Sequence, residues 1–415
     1  MADWHLWLPP ALTKRRFRLY TAGHLVSVIG GWIQQVALAW LVFRLTESIF
    51  LLGLTGFLLN IFYLLLGPLA GVAADRLPRL RTLVGIDLIL ASLAVTLAIM
   101  GVAGVEDVRA YLAVAALIGV ANAFEMPVRQ TLIKDIVEDR ALLTSALGVS
   151  AMLFNLGRIV GPSVAGLLLI YVPEAWCFVL NALSYFAIIG ALIAMRLPPS
   201  VPLTRRVDQP GFRANLSTVM AFPAVRYLLP TVVAIGLFAT PYVPLMPSIV
   251  AHFFDGQSST LGMLMSGAGV GAFASATYLS LQPGYGRQIR LLTVAPLGVG
   301  AVMVAFAFSR ILPLSFLLLA GLGASVLISV NATNALLQQS VPDAWRGRVI
   351  GLYSMSFAGT APIGGLLAGF MAERIGLTPT LVINGGLIIA AGLFARRRLH
   401  NHPEALRGLM RSLGR

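Results

Sequence analysis

Charge is scarce in this 415-residue sequence: Asp, Glu, Lys and Arg together make up 11% of it, against roughly 25% in an ordinary soluble domain. Acid is scarcer than base, 16 residues against 30, and cysteine is limited to Cys177. One thiol inside an apolar run excludes a disulfide framework and a thiolate metal centre, and it reads as packing. There is no Gly-x-x-x-x-Gly-Lys-Ser/Thr phosphate loop, no soluble domain of useful size, and no Ser–His–acid set that one pocket would collect. ATP hydrolysis, enzyme chemistry and a bound cofactor are therefore not expected. What is abundant is apolar sequence, 58% of the chain, and that composition belongs to an integral membrane protein.

A helix needs about 20 residues to cross the hydrocarbon core. The chain divides into twelve apolar runs, at about 18–43, 49–74, 82–104, 110–133, 142–171, 175–195, 224–250, 259–281, 289–308, 312–338, 349–372 and 379–395. They read as helices because lipid does not tolerate unpaired backbone, and because they are about twice the length of barrel strands. The basic cluster Lys14, Arg15, Arg16 and Arg18 precedes an apolar run too long for a cleavable signal, so this segment is expected to stay on the mature chain. Trp4 and Trp7 suit the headgroup zone.

Assigning alternate loops to alternate sides places 25 Lys and Arg on the side of both termini and four, Arg44, Arg109, Arg310 and Arg374, on the other; Arg158 lies alone within a span. By the positive-inside rule both termini and the middle loop are cytoplasmic, in a multi-pass protein of the cell membrane. The net charge of +14 is thus topological and gives no reason to expect nucleic acid. The one long polar stretch, Arg196 to Asn215, divides the chain into an N-terminal six-helix half (1–196), a linker (197–222), a C-terminal six-helix half (223–396) and a basic tail (397–415). The halves repeat weakly. "VRQTLIKDIVEDR" from Val128 aligns with "ATNALLQQSVPDA" from Ala332, and "GPSVAG" (Gly161 to Gly166) with "GGLLAG" (Gly364 to Gly369). Parallel six-span repeats are a transporter design that works by rocking of the halves.

The loop "GVAADRLPRLR" between spans 2 and 3 resembles the Gly-x-x-x-Asp-Arg/Lys-x-Gly-x-Arg/Lys-Arg/Lys motif of the major facilitator superfamily. Gly71, Asp75, Arg76 and Arg81 fall on it, Arg79 lies one place early, and Pro78 replaces a glycine. "GRIVGPSVAG" in span 5, with Gly157, Gly161, Pro162 and Gly166, resembles the signature of the antiporter and exporter branches, with Ala165 in place of one Gly. Glycines four apart also serve plain helix packing. "FRLYTAGHLVSVIGGWIQQVALAWLVFRLTES", "GPLAGVAADR" and the Pro-x-Arg-Gln step at Pro127 to Gln130 look like the drug:proton antiporter branch that includes transmembrane secretion effectors. The resemblance implies the twelve-helix major facilitator fold and relatives that export macrolides, tetracyclines or siderophores. It also implies a central cavity lined by spans 1, 4, 7 and 10.

Polar groups within spans are costly and are functional candidates by default. In span 1, His24, Ser27, Gly31 and Gln34 fall on one face at spacings of three and four. Span 4 carries Asn122 and Glu125, with Arg129 one turn further; span 10 carries Asn331, Asn334 and Gln338; span 7 carries Tyr242 among four prolines that should bend it into a gate region or a kinked packing helix. Proton-coupling candidates are Glu125, Asp87, Arg158 and His24, all in the N-terminal half. Glu125 is the preferred carrier, with Arg158 competing against the proton; a permanent salt bridge of Glu125 to Arg129 or Arg158 is the structural alternative. Asp87 reads first as a partner of the nearby loop arginines, and His24 as a titrating group or a hydrogen-bonded helix contact. Asp75 is expected to meet the positive N-terminal end of span 11 and latch the cytoplasmic side.

The expectation is a monomeric, proton-coupled exporter of a lipophilic or amphipathic small molecule, a drug or a siderophore. A lipid or lysolipid flippase of the same fold, marked by a side opening with acyl-sized apolar walls, and an uptake symporter are the alternatives.

Overall fold

The computed structural model describes residues 9–137, 139–197, 218–281 and 285–401. The N-terminal Trp4 and Trp7, most of the 197–222 linker and the tail beyond 401 lie outside the described residues. Helix is the only regular structure, with no strand among the described residues. A short 3-10 turn, Pro10–Thr13, leads into α1 (Arg15–Thr46), α2 (Ile49–Arg76), α3 (Arg79–Val102), α4 (Val108–Val137), α5 (Arg140–Tyr171) and α6 (Glu174–Ala194). After the linker come α7 (Pro223–Ala234), a π turn (Ile235–Ala239), α8 (Tyr242–Phe254), α9 (Ser258–Leu281), α10 (Tyr285–Phe308), α11 (Leu312–Gln339), α12 (Asp343–Ala358), α13 (Thr360–Ile375) and α14 (Leu377–Asn401).

Among the described residues, eleven helical segments are long and apolar enough to cross a membrane. The remaining expected span, 259–281, is present as α9. Spans 7 and 11 are each built from two helices, α7 with α8 and α12 with α13. Prolines stand at both interruptions, where a ring nitrogen cannot donate to the carbonyl four residues back. Pro241 and Pro244 leave the carbonyls of Leu237 and Thr240 without that donor and the chain relaxes through the π turn; Pro362 does the same to Ala358, beside Gly359.

The connections are short and chemically specified. Glu47 adopts a left-handed φ of 52° to end α1, and the Ser48 hydroxyl accepts from Leu51 N–H at 3.3 Å to start α2. Asp139 caps α5 through the N–H of Ala141 at 2.9 Å. Gly376, at φ 89°, lets α13 turn directly into α14.

The fold divides into two compact units: 1–47, 58–205 and 256–266 form one, and 48–57, 206–255 and 267–415 form the other. In unit 1, α1 packs on α5 and α6, and α3 on α4 and α6. In unit 2, α10 packs on α11 and α14, and one end is filled by Val225, Leu228, Val232, Leu336, Val349 and Tyr353. Two helices change unit along their length. The first turns of α2 belong with α13, where Gly53 lies against Gly365 and Gly369; the first turns of α9 belong with α5, where Gly262 lies against Gly166. These contacts fall at matching places of the internal repeat, on "GPSVAG" in one half and "GGLLAG" in the other.

Candidate functional site

Unit 1 holds a buried charged cluster assembled from three helices. Glu125 and Arg129 are one turn apart on α4 and form an ion pair. The same guanidinium reaches α3, where its Nη2 lies 3.4 Å from Asp87 Oδ1, and α1, where its Nη1 lies 2.8 Å from His24 Nδ1. Arginine only donates, so His24 accepts through Nδ1, and the imidazole is neutral with its proton on Nε2. The Tyr20 ring stacks on His24 with centroids 5.3 Å apart. Arg129 is 8% exposed and Asp87 wholly buried. Asp87 Oδ2 and the Tyr20 hydroxyl have no hydrogen-bond partner among the described residues. One cation thus faces two carboxylates in an apolar interior, an arrangement stable only if the excess negative charge is compensated.

This geometry changes the expected pairings. Glu125 pairs with Arg129, whereas Arg158 is half-buried on α5 and makes no ion pair among the described residues. Asp87 turns inward to Arg129 instead of meeting the loop arginines, because its position two turns into α3 sets it on the buried face that meets α4. Of the loop arginines, Arg79 donates to Asp135 on α4 at 2.7 Å, while Arg76 and Arg81 are exposed. Asp75 is exposed and makes no hydrogen bond or ion pair among the described residues. Gly71 has open space around it, so no close approach requires glycine there.

The sequence model of the family described as transmembrane secretion effector, within the major facilitator superfamily, matches residues 7–407. The chain belongs to that family. It is 27% identical over 395 residues to macrolide efflux protein A of Streptococcus pyogenes, covering 92% of this chain and 95% of that one. It is 24% identical over 365 residues to the staphyloferrin A transporter of Staphylococcus aureus, covering 86% and 89%. Among solved structures, the nucleoside transporter NupG superposes with a TM-score of 0.72 at 14% identity, over 93% of this chain and 99% of that one, a likeness of fold. The protein is accordingly a membrane transporter with the all-helical major facilitator fold.

In this secretion effector the span 5 motif is a packing surface. A Cβ at Gly157 would overlap Val28 and one at Gly161 would overlap Trp32, so both glycines seat α5 against α1. Span 1 faces two ways. His24 points to Arg129, while Gln34 accepts from Asn181 of α6 at 2.9 Å, and Asn181 Oδ1 accepts from the Ser184 hydroxyl at 3.0 Å. Ser27 is buried and Gly31 has open space beside it. Gln34 is therefore engaged in a helix contact, and helical spacing alone gave no sign of the amide waiting on α6.

Asn122, one turn before Glu125, is half-buried and makes no hydrogen bond among the described residues. In unit 2 Asn331 is exposed, Asn334 accepts from Gln338 at 3.1 Å, and Tyr242 is buried at the first turn of α8. A polar pocket of about 350 Å³ lies beside Gln338, Gln339 and Arg346. An apolar groove of about 450 Å³ runs between α3 and α6, lined by residues including Val95, Ile99, Val102, Leu183 and Phe186, and no member of the charged cluster lines it.

The residues that the sequence reading passed over are Tyr20, Asn181 and, above all, Arg129 as the centre. Its signal was present in the one-turn spacing from Glu125 and in the Pro-x-Arg-Gln step.

Proposed function

We propose that this protein exports a lipophilic or amphipathic small molecule, a drug or a siderophore, in exchange for protons by alternating access. We place it in the cell membrane as a monomer with both termini in the cytoplasm. The observation that carries the proposal is the buried cluster of one guanidinium with two carboxylates. Fully ionised, Asp87, Glu125 and Arg129 hold one negative charge more than they pair, with His24 neutral. An uncompensated charge in an apolar interior is expensive, and one proton removes it. Asp87 Oδ2 is the atom for that proton, because it is buried and unpartnered among the described residues. With Asp87 protonated, Arg129 closes on Glu125; with the proton released, Arg129 ties α1, α3 and α4 together. Protonation is thereby felt as a change in how three spans are held.

Asn122 in unit 1 and Asn331 in unit 2 are proposed cargo contacts, since neither side chain is spent on a hydrogen bond among the described residues. The relatives named for macrolide efflux and for staphyloferrin A transport support the export of such cargo.

The test is transport by the purified full chain in liposomes carrying an imposed pH gradient, with a macrolide and a siderophore as cargoes. Asp87→Asn is expected to lose gradient-driven accumulation while retaining exchange of labelled for unlabelled cargo. Undiminished gradient-driven transport in Asp87→Asn and in Glu125→Gln would remove the proton assignment.

A further inference from the structure

Within unit 2, the side chain of Glu373 near the end of α13 caps a helix far away in sequence. The N–H groups of Ile49 and Phe50 donate to its Oε2 at 2.6 and 3.1 Å, and the Ser48 hydroxyl to its Oε1 at 3.3 Å. These are the first donors of α2, where the helix presents its positive end. The surrounding contacts are close but slippery. Gly53 meets the backbone of Gly365 and Gly369, Gly56 faces Pro244 of α8, and the rings of Phe50 and Phe370 meet edge-on with centroids 6.5 Å apart. Glu373 supplies the charged group in this contact.

The internal repeat offers a comparison inside the same molecule. The twin contact, α9 on α5, keeps the glycines, Gly262 and Gly166. Four residues past Gly166, where Glu373 would fall by analogy with Gly369, stands Ile170, which has no acceptor to offer. Close packing of the helix tip therefore does not require a carboxylate, and Glu373 adds something the twin does without.

What lies beneath Glu373 indicates its purpose. α8 and α13 are the outer halves of spans 7 and 11, as the Lys and Arg count orients them, and both begin just beyond a break. The π turn holds Thr240 N–H to Ile235 O at 3.3 Å, and Gly236 there lies against Phe357 and Thr360 at the break of span 11, while Gly364 lies against Leu237 of the π turn. Two weak points in neighbouring helices are thus packed on each other, and the segments beyond them both touch the start of α2. In unit 1, α1 and α5 run 32 residues each without such an interruption.

We infer that Glu373 is a latch: by capping α2 it holds α8 and α13 shut as an outer flap hinged at residues 235–239 and 359, and its release lets that flap swing. This adds a hinged movement within unit 2 to the rocking of whole halves. It rests on the alternating-access reading, but its readout is a distance inside unit 2 and is independent of cargo and of coupling ion.

The experiment uses the full chain in lipid nanodiscs with Cys177→Ala, Phe50→Cys and Phe370→Cys, spin-labelled at the two new thiols, with the label-to-label distance read by pulsed electron resonance. The parent is expected to show one short distance. Glu373→Ala should add a longer population, raising the ratio of long to short by on the order of tenfold, as loss of charge-assisted hydrogen bonds implies. Glu373→Gln keeps an acceptor oxygen and should fall between. Arg374→Ala, which removes the neighbouring exposed charge, should leave the distribution unchanged. A parent-like distribution in Glu373→Ala overturns the latch. Should that variant not fold, a parent-like distribution in Glu373→Gln overturns it, and so does an equal effect from Arg374→Ala.

Discussion

Arg129 is the residue on which unit 1 depends most, because three helices offer it acceptors and none offers it a second cation. Removing it leaves Asp87 and Glu125 facing each other in apolar surroundings. Arg129→Gln is therefore expected to cost on the order of 3–5 kcal/mol, the usual penalty for stripping one partner from a buried pair. Adding Asp87→Asn to that variant should recover a large part of the loss, since it removes the stranded charge; denaturant titration of the single and double variants in detergent measures both. A double variant no more stable than Arg129→Gln would show that the two residues do not sense each other. The members of this cluster were legible in the sequence as ionisable groups inside spans, and the Glu125 to Arg129 spacing was legible as one turn. The convergence was not. Helical periodicity tells which residues share a face, but the meeting of His24, Asp87 and Arg129 depends on how α1, α3 and α4 cross. Arg158, alone within its span, has no acidic residue one turn away, and nothing in the sequence showed whether another helix would bring it one.

At the scale of elements, apolar run length located the spans well, because the bilayer sets a minimum that little else in a sequence imitates. The bend of span 7 was legible from Pro241, Pro244 and Pro247. The break of span 11 rests on Pro362 and Gly359 amid residues that continue the helix on either side, and glycine alone gives no such warning. Nor does a glycine announce whether a neighbour crowds it. Gly323 of α11 lies so close to Ala268 of α9 that a Cβ would overlap its carbonyl oxygen, whereas Gly351 of α12 has no such neighbour. Gly323→Ala is expected to destabilise by about 1–3 kcal/mol through overpacking. Gly351→Ala should be neutral or stabilise by up to about 1 kcal/mol, since alanine is the better helix former. Thermal unfolding in detergent separates the two, and equal effects would mean that the close approach of α9 and α11 is not present in solution.

At the scale of the whole chain, the exchange of the α2 and α9 tips between the compact units was not legible in the sequence, because apolarity carries no label for the unit that a helix tip joins. The orientation has a different origin: it lies in loop charge, which no packing contact encodes. The proposed orientation puts Glu47 outside and Asp75 inside, and both side chains are exposed in the structure. In a Cys177→Ala background, Glu47→Cys should react with a membrane-impermeant maleimide on intact cells. Asp75→Cys should react only after the cells are permeabilised. Arg44, two helical positions from the outer connection, is held to Glu174 by hydrogen bonds of 2.8 and 3.1 Å, so it does not count as a free positive charge on that side. Neutralising it with Arg44→Gln should therefore leave the labelling pattern unchanged, whereas the reverse pattern in the parent would overturn the orientation and with it the naming of α8 and α13 as the outer flap.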